Sequence, residues 1–122
     1  MRIINSSRHT VIAEEARVAD TFFARLKGLL GRTCLLEGEA LVITHCQSIH
    51  MFFMNFPIDV VFVDRQNRVV GLVRGIKPFC LSPVFLMANY AIELAEGSIE
   101  KSNINIGDLI EKTEDSVNGR CL

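Results

Sequence analysis

The residues best equipped for chemistry sit in one segment, His45-Cys46-Gln47-Ser48-Ile49-His50-Met51-Phe52-Phe53-Met54-Asn55. Imidazole, thiol and thioether groups are ligands for soft metals, and a thiol beside an imidazole can act as a nucleophile. Side chains alternate along a strand, so His45 and His50, an odd number of positions apart, cannot both face one ion from one regular strand. No third orienting residue or oxyanion motif accompanies Cys46 and His50. A metal or thiol site at Cys46 and His50 is therefore the third reading of function, and neither a metal nor a cofactor is assigned. The four cysteines, Cys34, Cys46, Cys80 and Cys121, form no C-x-x-C pair. They are expected to be buried, reduced thiols.

Asp59 is more informative. It shares a strand face with Val61 and Val63 inside an apolar run. An ionised carboxylate among aliphatic neighbours is costly unless it is paired or hydrogen-bonded. Arg25 and Arg32 are the nominated partners, and a buried Asp–Arg pair is favoured over catalysis. In the functional version, Arg25, His50, Met54, Asn55 and Asp59 line a pocket for a small polar or anionic molecule. Arg25 would pair the anion, and Asn55 would supply an amide that both donates and accepts. Glu93 is expected to face solvent or an arginine, and Asp108, after Gly107, to be a turn residue. Arg2, Arg8, Arg65, Arg68 and Arg74 read as solvated charge. Pro57 marks a bend or an edge, which would leave Phe52, Phe53 and Phe56 at a rim suited to contact with another molecule.

These residues must be positioned by a mostly β chain. Asp20 or Thr21 can cap a helix in which Phe22, Phe23, Leu26, Leu29 and Leu30 share one face, with Gly31 as its stop and Arg25 at the edge. Strands are expected at 10–13, 40–46 and 58–63, the last apolar on both alternating faces as a doubly buried strand is. The turn Asp64-Arg65-Gln66-Asn67 and the apolar run from Arg68 to Val73 complete a hairpin. The stretch 77–82, with Pro78 and the following Pro83, is loop, and 84–87 is a short helix or a packed loop. Strand 90–95 is closed by Gly97, and a final short strand follows the turn at Gly107-Asp108. Together these give a mainly β, small antiparallel sandwich or barrel-like domain with one packed α-helix. A single globular domain is expected over 1–112, with a frayed tail over 113–122.

The 122 residues carry 13 Lys+Arg and 14 Asp+Glu, a net charge of -1, and 49% are hydrophobic. This composition argues against disorder and removes the basic footprint of a nucleic-acid binder. The longest apolar stretch, 49–63, is interrupted by Asn55, Pro57 and Asp59, so no membrane span is expected. With no signal-peptide core or prenylation box read from the termini, the expected location is cytoplasmic.

The order RLKGLLGR (25–32), SIHMFFMNFPIDVVFVD (48–64), IELAEG (92–97) and IGD (106–108) resembles the family called domain of unknown function 192, over about residues 16–111. The central segment is the specific part. The chain departs from the family pattern at Ala40-Leu41-Val42-Ile43, where many members carry Gly-Met-Leu-Phe. It also departs at Phe53, where many carry Trp, and at Pro78 and Cys80, a partial match to a loop richer in cysteine. The resemblance implies a compact, mainly antiparallel β fold with a helix packed on it, and no established reaction. From the residues themselves, the first functional expectation is a domain that binds a small polar or anionic ligand. The second is an interaction or scaffold domain that meets a protein, or its own copy as a homo-oligomer, through Met51 to Phe56.

Overall fold

A computed structural model describes residues 1–19, 34–52 and 54–113. The expected helix over 22–30, with Arg25 and Arg32, lies outside the described residues, as do Phe53 and the tail beyond Thr113. The described elements are β1 (Arg2–Asn5), β2 (Thr10–Ala13), β3 (Glu15–Ala19), β4 (Glu39–Thr44), β5 (Ile58–Val63), β6 (Val69–Ile76), β7 (Tyr90–Ala95), α1 (Ser98–Lys101) and β8 (Ile110–Thr113). They form a mainly β, sandwich-like fold of two sheets, ordered β2-β1-β8 and β3-β4-β7-β5-β6.

One pairing departs from an all-antiparallel expectation: β3 and β4 run parallel, from Glu15 opposite Glu39 to Ala19 opposite Ile43. A parallel pair needs a crossover of a dozen or more residues, and 20–38 between the two strands has that length. The hairpin is as expected, with β5 antiparallel to β6 from Ile58 opposite Ile76 to Val63 opposite Val69. Its turn is held by the Asp64 carboxylate, whose Oδ1 accepts from the N–H groups of Gln66 and Arg68, both at 2.9 Å.

The five-stranded sheet is covered on both sides, which is why all six residues of β5 are buried. Ile58, Val60 and Phe62 join Leu41, Ile43 and Ala91 on one face, under Ile49, Met51, Met54 and Phe56 from the segment before β5. Val61 and Val63 join Val42, Ile92 and Leu94 on the other, where Ile3, Ile12 and Ile110 of the smaller sheet pack against them. Apolar residues at both parities of the strand's two-residue period thus fill two cores from one sheet. Among the described residues, no helix is long and apolar enough to cross a membrane.

Candidate binding site

Asp59 sits in the middle of β5's neighbourhood, 1% exposed. Its partners are backbone amides. Gly75 N–H donates to Oδ1 at 2.8 Å, and Gly97 and Ile99 N–H donate to Oδ2 at 3.1 and 2.9 Å. Two of the three donors are turned inward by glycines in the left-handed region, Gly75 at φ 60° and Gly97 at φ 93°, where a side chain would strain the backbone. The carboxylate therefore clasps the end of β6 and the start of α1 onto β5. The nominated guanidinium of Arg25 lies outside the described residues, and within them the hydrogen-bonding need is met by three N–H groups. A cleft of about 310 Å³ opens beside the clasp, lined by Asp59, Arg74, Gly75, Glu96, Gly97 and Glu100.

The other nominated residues fall elsewhere. Met54 is 5% exposed and belongs to the core on the sheet face opposite to that of Val61 and Val63, so it does not share a cavity with Asp59. Asn55 is exposed, and the half-buried His50 stacks on Phe52 with ring centroids 5.1 Å apart. The segment 45–56 is a cover: Ile49, Met51, Met54 and Phe56 point into the core, and Phe52 remains 45% exposed. The expected surface from Met51 to Phe56 is corrected accordingly. Met51 and Phe56 are core residues because they close an apolar sheet face that solvent would otherwise reach. Cys46 is buried and donates its S–H to Ser48 O at 3.1 Å, whereas Cys34 and Cys80 are exposed, contrary to expectation. Among the described residues, no three His, Cys, Asp or Glu side chains assemble as ligands for a metal ion.

Alongside this cover runs the loop 77–87. Met51 N–H donates to Cys80 O at 2.9 Å, Phe79 N–H to Met51 O at 2.8 Å, and Ser82 N–H to Ile49 O at 2.9 Å. The buried Ser82 hydroxyl accepts from Ile49 N–H at 2.9 Å, and Phe85 N–H reaches Gln47 O at 2.8 Å. Phe85 turns inward onto Phe62, centroids 4.6 Å apart, and its ring occupies the space where a Cβ on residue 71 would be. The remaining apolar side chains turn outward. Phe79, Leu81, Val84, Leu86 and Met87 are 61–77% exposed. Scattered exposed leucines are ordinary, but five large apolar side chains within nine positions of a hydrogen-bonded loop form a patch. The sequence carries the signal: one charge, Lys77, across 75–92, in a stretch rich in Phe, Leu, Val and Met.

Of two further carboxylates, Glu93 departs from expectation and Asp108 exceeds it. Glu93 is 0% exposed, opposite Leu41 on β4 and Val60 on β5. β7 lies between other strands with both faces covered, so neither side of its alternation reaches solvent. Asp108 is a turn residue and also a clasp. Its Oδ2 accepts from Asn5 Nδ2 at 2.8 Å, Asn105 N–H at 2.9 Å and Arg8 Nε at 3.2 Å. Burial pushes its carboxyl up, and the bonds from Asn5, Asn105 and Arg8 outweigh that and hold it below the ordinary value. Arg8, read as solvated charge, is thus a partner in a tie between the β1–β2 turn and the approach to β8.

The β-rich fold of two sheets is shared with solved structures. One is a protein of unknown function from Novosphingobium aromaticivorans, TM-score 0.76 at 22% identity, covering 91% of this chain and 82% of that one. Another is a candidate transcription regulator of Sinorhizobium meliloti, TM-score 0.71 at 18% identity, covering 90% and 89%. At such identities the likeness concerns the fold alone. The sequence goes further. The model of DUF192, an uncharacterized ACR, matches residues 3–112, and the chain belongs to that family. It is 35% identical over 116 residues to a UPF0127 protein of Thermococcus sibiricus, covering 89% of this chain and 73% of that protein. It is 36% identical over 112 residues to one of Pyrococcus horikoshii, covering 89% and 96%. The function of the family is not established by these relatives.

Proposed function

We propose that this chain is an interaction domain and that the loop 79–87, with Phe52 beside it, is its contact surface. The observation that carries the reading is the outward display of Phe79, Leu81, Val84, Leu86 and Met87 from a loop whose backbone is fixed by hydrogen bonds. A fixed backbone loses little conformational entropy on association, so burial of the apolar side chains is retained as affinity. The occupant is a second copy of this chain. A two-fold contact sets a patch against itself, so any net charge in it would meet its own image. This patch carries no Asp or Glu and a single Lys across 75–92, and 46–58 has no Asp, Glu, Lys or Arg. A different protein or an anionic membrane would be selected through complementary charge, for which Lys77 alone is little. Light scattering during size exclusion tests this. A mass rising towards twice 13.7 kDa with concentration is expected. A monomer at every concentration, or capture by lipid vesicles instead, overturns it.

A second reading keeps the small-ligand expectation and is favoured by the cleft beside Asp59. The set Arg25, His50, Met54, Asn55 and Asp59 supports it through Asp59, the member that lines that cleft. With Asp59, Glu96 and Glu100 against Arg74, the lining suits a polar cation or zwitterion better than an anion. Titration with putrescine, read as thermal stabilisation, tests it: a rise lost in Glu100→Gln is expected. A rise no larger than that from sodium chloride at equal ionic strength rejects it.

A further inference from the structure

We propose that the cleft at the junction of β4, the hairpin turn and the end of the apolar loop is a binding site for a small oxyanion, a phosphate or carboxylate group. The cleft has a volume of about 240 Å³ and is lined by His45, Gln47, Arg65, Ala88 and Asn89. That is below the roughly 300–1,000 Å³ typical of sites for larger organic ligands, so the ligand is a small one.

The lining chemistry selects the sign of the charge. Two other clefts bounded by described residues contain carboxylates, Glu14 and Glu37 in one and Asp59, Glu96 and Glu100 in the other. This one contains none. It holds a guanidinium, an imidazole and two side-chain amides, all able to donate N–H to an oxyanion, with Arg65 offering the fork that matches two oxygens. Among the described residues, the side chains of His45, Arg65 and Asn89 enter no hydrogen bond or ion pair. The neighbouring carboxylate, Asp64, is engaged by the N–H groups of Gln66 and Arg68 in the hairpin turn, which leaves Arg65 available.

The frame around these donors is built rather than loose. Asn89 N–H donates to Val63 O at 2.7 Å, and Cys46 N–H donates to Asn89 O at 3.2 Å, so the segment leaving β4, the end of β5 and residue 89 are tied together. Gln47 Nε2 donates to Leu86 O at 2.7 Å, which fixes the loop side of the cleft. His45 is held at φ 51°, in the left-handed region that a residue with a Cβ seldom adopts. Strain of that kind is retained where the surroundings over-determine it, and here it ends β4 beside the cleft. The site uses residues separate from the apolar patch and does not depend on the self-contact proposed above.

The test is a titration of the full isotope-labelled chain with inorganic phosphate, against sodium chloride at matched ionic strength, followed by NMR. Saturable shifts centred on His45, Arg65 and Asn89 are expected. Arg65→Ala should weaken binding about tenfold or more, the scale of losing a charge-assisted pair, and Arg65→Lys should restore part of it. Arg65 is exposed in a turn, so these variants fold. Equal shifts with chloride, shifts centred elsewhere, or an Arg65→Ala variant that binds as tightly as the parent would overturn the proposal.

Discussion

Asp59 and Asp108 show how this chain treats a buried acid: each carboxylate joins segments far apart in sequence. Asp59 faces three N–H donors, so an amide at that position must set its own NH2 against at least one of them. Asp59→Asn is therefore expected to destabilise the fold by about 2–4 kcal/mol in a denaturant titration, the cost of unmade buried bonds. A stability within experimental error of the parent would remove the clasp from the account. Asp108 carries a pH prediction. Its folded carboxyl ionises below the ordinary value of 3.8. The stabilisation is therefore complete above that value and is lost as pH falls through the folded one. Asp108→Asn should cost about 1–2 kcal/mol at neutral pH, a modest figure because Arg8 is partly exposed. The gap between variant and parent should narrow in thermal melts as pH drops below about 4; a gap independent of pH would contradict this. The need of Asp59 for companions was legible from its apolar neighbours. Their identity was not, because it depends on the backbone direction at Gly75 and Gly97, which only the folded chain defines.

Among the elements, those with a sustained apolar run were readable: the hairpin of β5 and β6, and β7 over Tyr90–Ala95. β1 and β3 were missed. RIIN and EARVA are short, and each becomes a strand through pairing, β1 between β2 and β8 and β3 along β4. The single turn of α1 was missed for a similar reason: its start is held by Asp59 from forty residues away. Contacts at long range, rather than local propensity, decide such pieces. Gly71 in β6 is the element-scale test. A Cβ there would come within 2.4 Å of the Phe85 ring, which anchors the loop against Phe62. Gly71→Ala should cost about 1–3 kcal/mol through displacement of that ring. It should also raise amide exchange across 84–87 more than across β5. Exchange that stays uniform, with unchanged stability, would show that the ring does not hold the loop.

For the whole molecule, the interior and the surface follow different rules. Two cores share one sheet, and the segment 45–56 spends Met51, Met54 and Phe56 closing one of them. The sequence made that segment look like a contact surface because apolar residues that cover a sheet and apolar residues that face outward have the same composition. The outward set lies in the adjoining loop, and substitution there should separate contact from stability. The double variant Leu86→Ser and Met87→Ser removes side chains that are 77% and 73% exposed, so its unfolding free energy should stay within about 0.5 kcal/mol of the parent. Its mass in solution should fall to that of the monomer. A large loss of stability would mean that the loop serves the core instead.

The most direct measurement is a dilution series of the labelled chain followed by amide NMR, since it reports association and its location together. The amides of 79–87 and Phe52 should move with concentration along one saturable curve while β2, β3 and β8 stay fixed. Spectra that do not change with concentration, or changes confined to another edge of the molecule, would contradict the assignment of this loop as the contact surface.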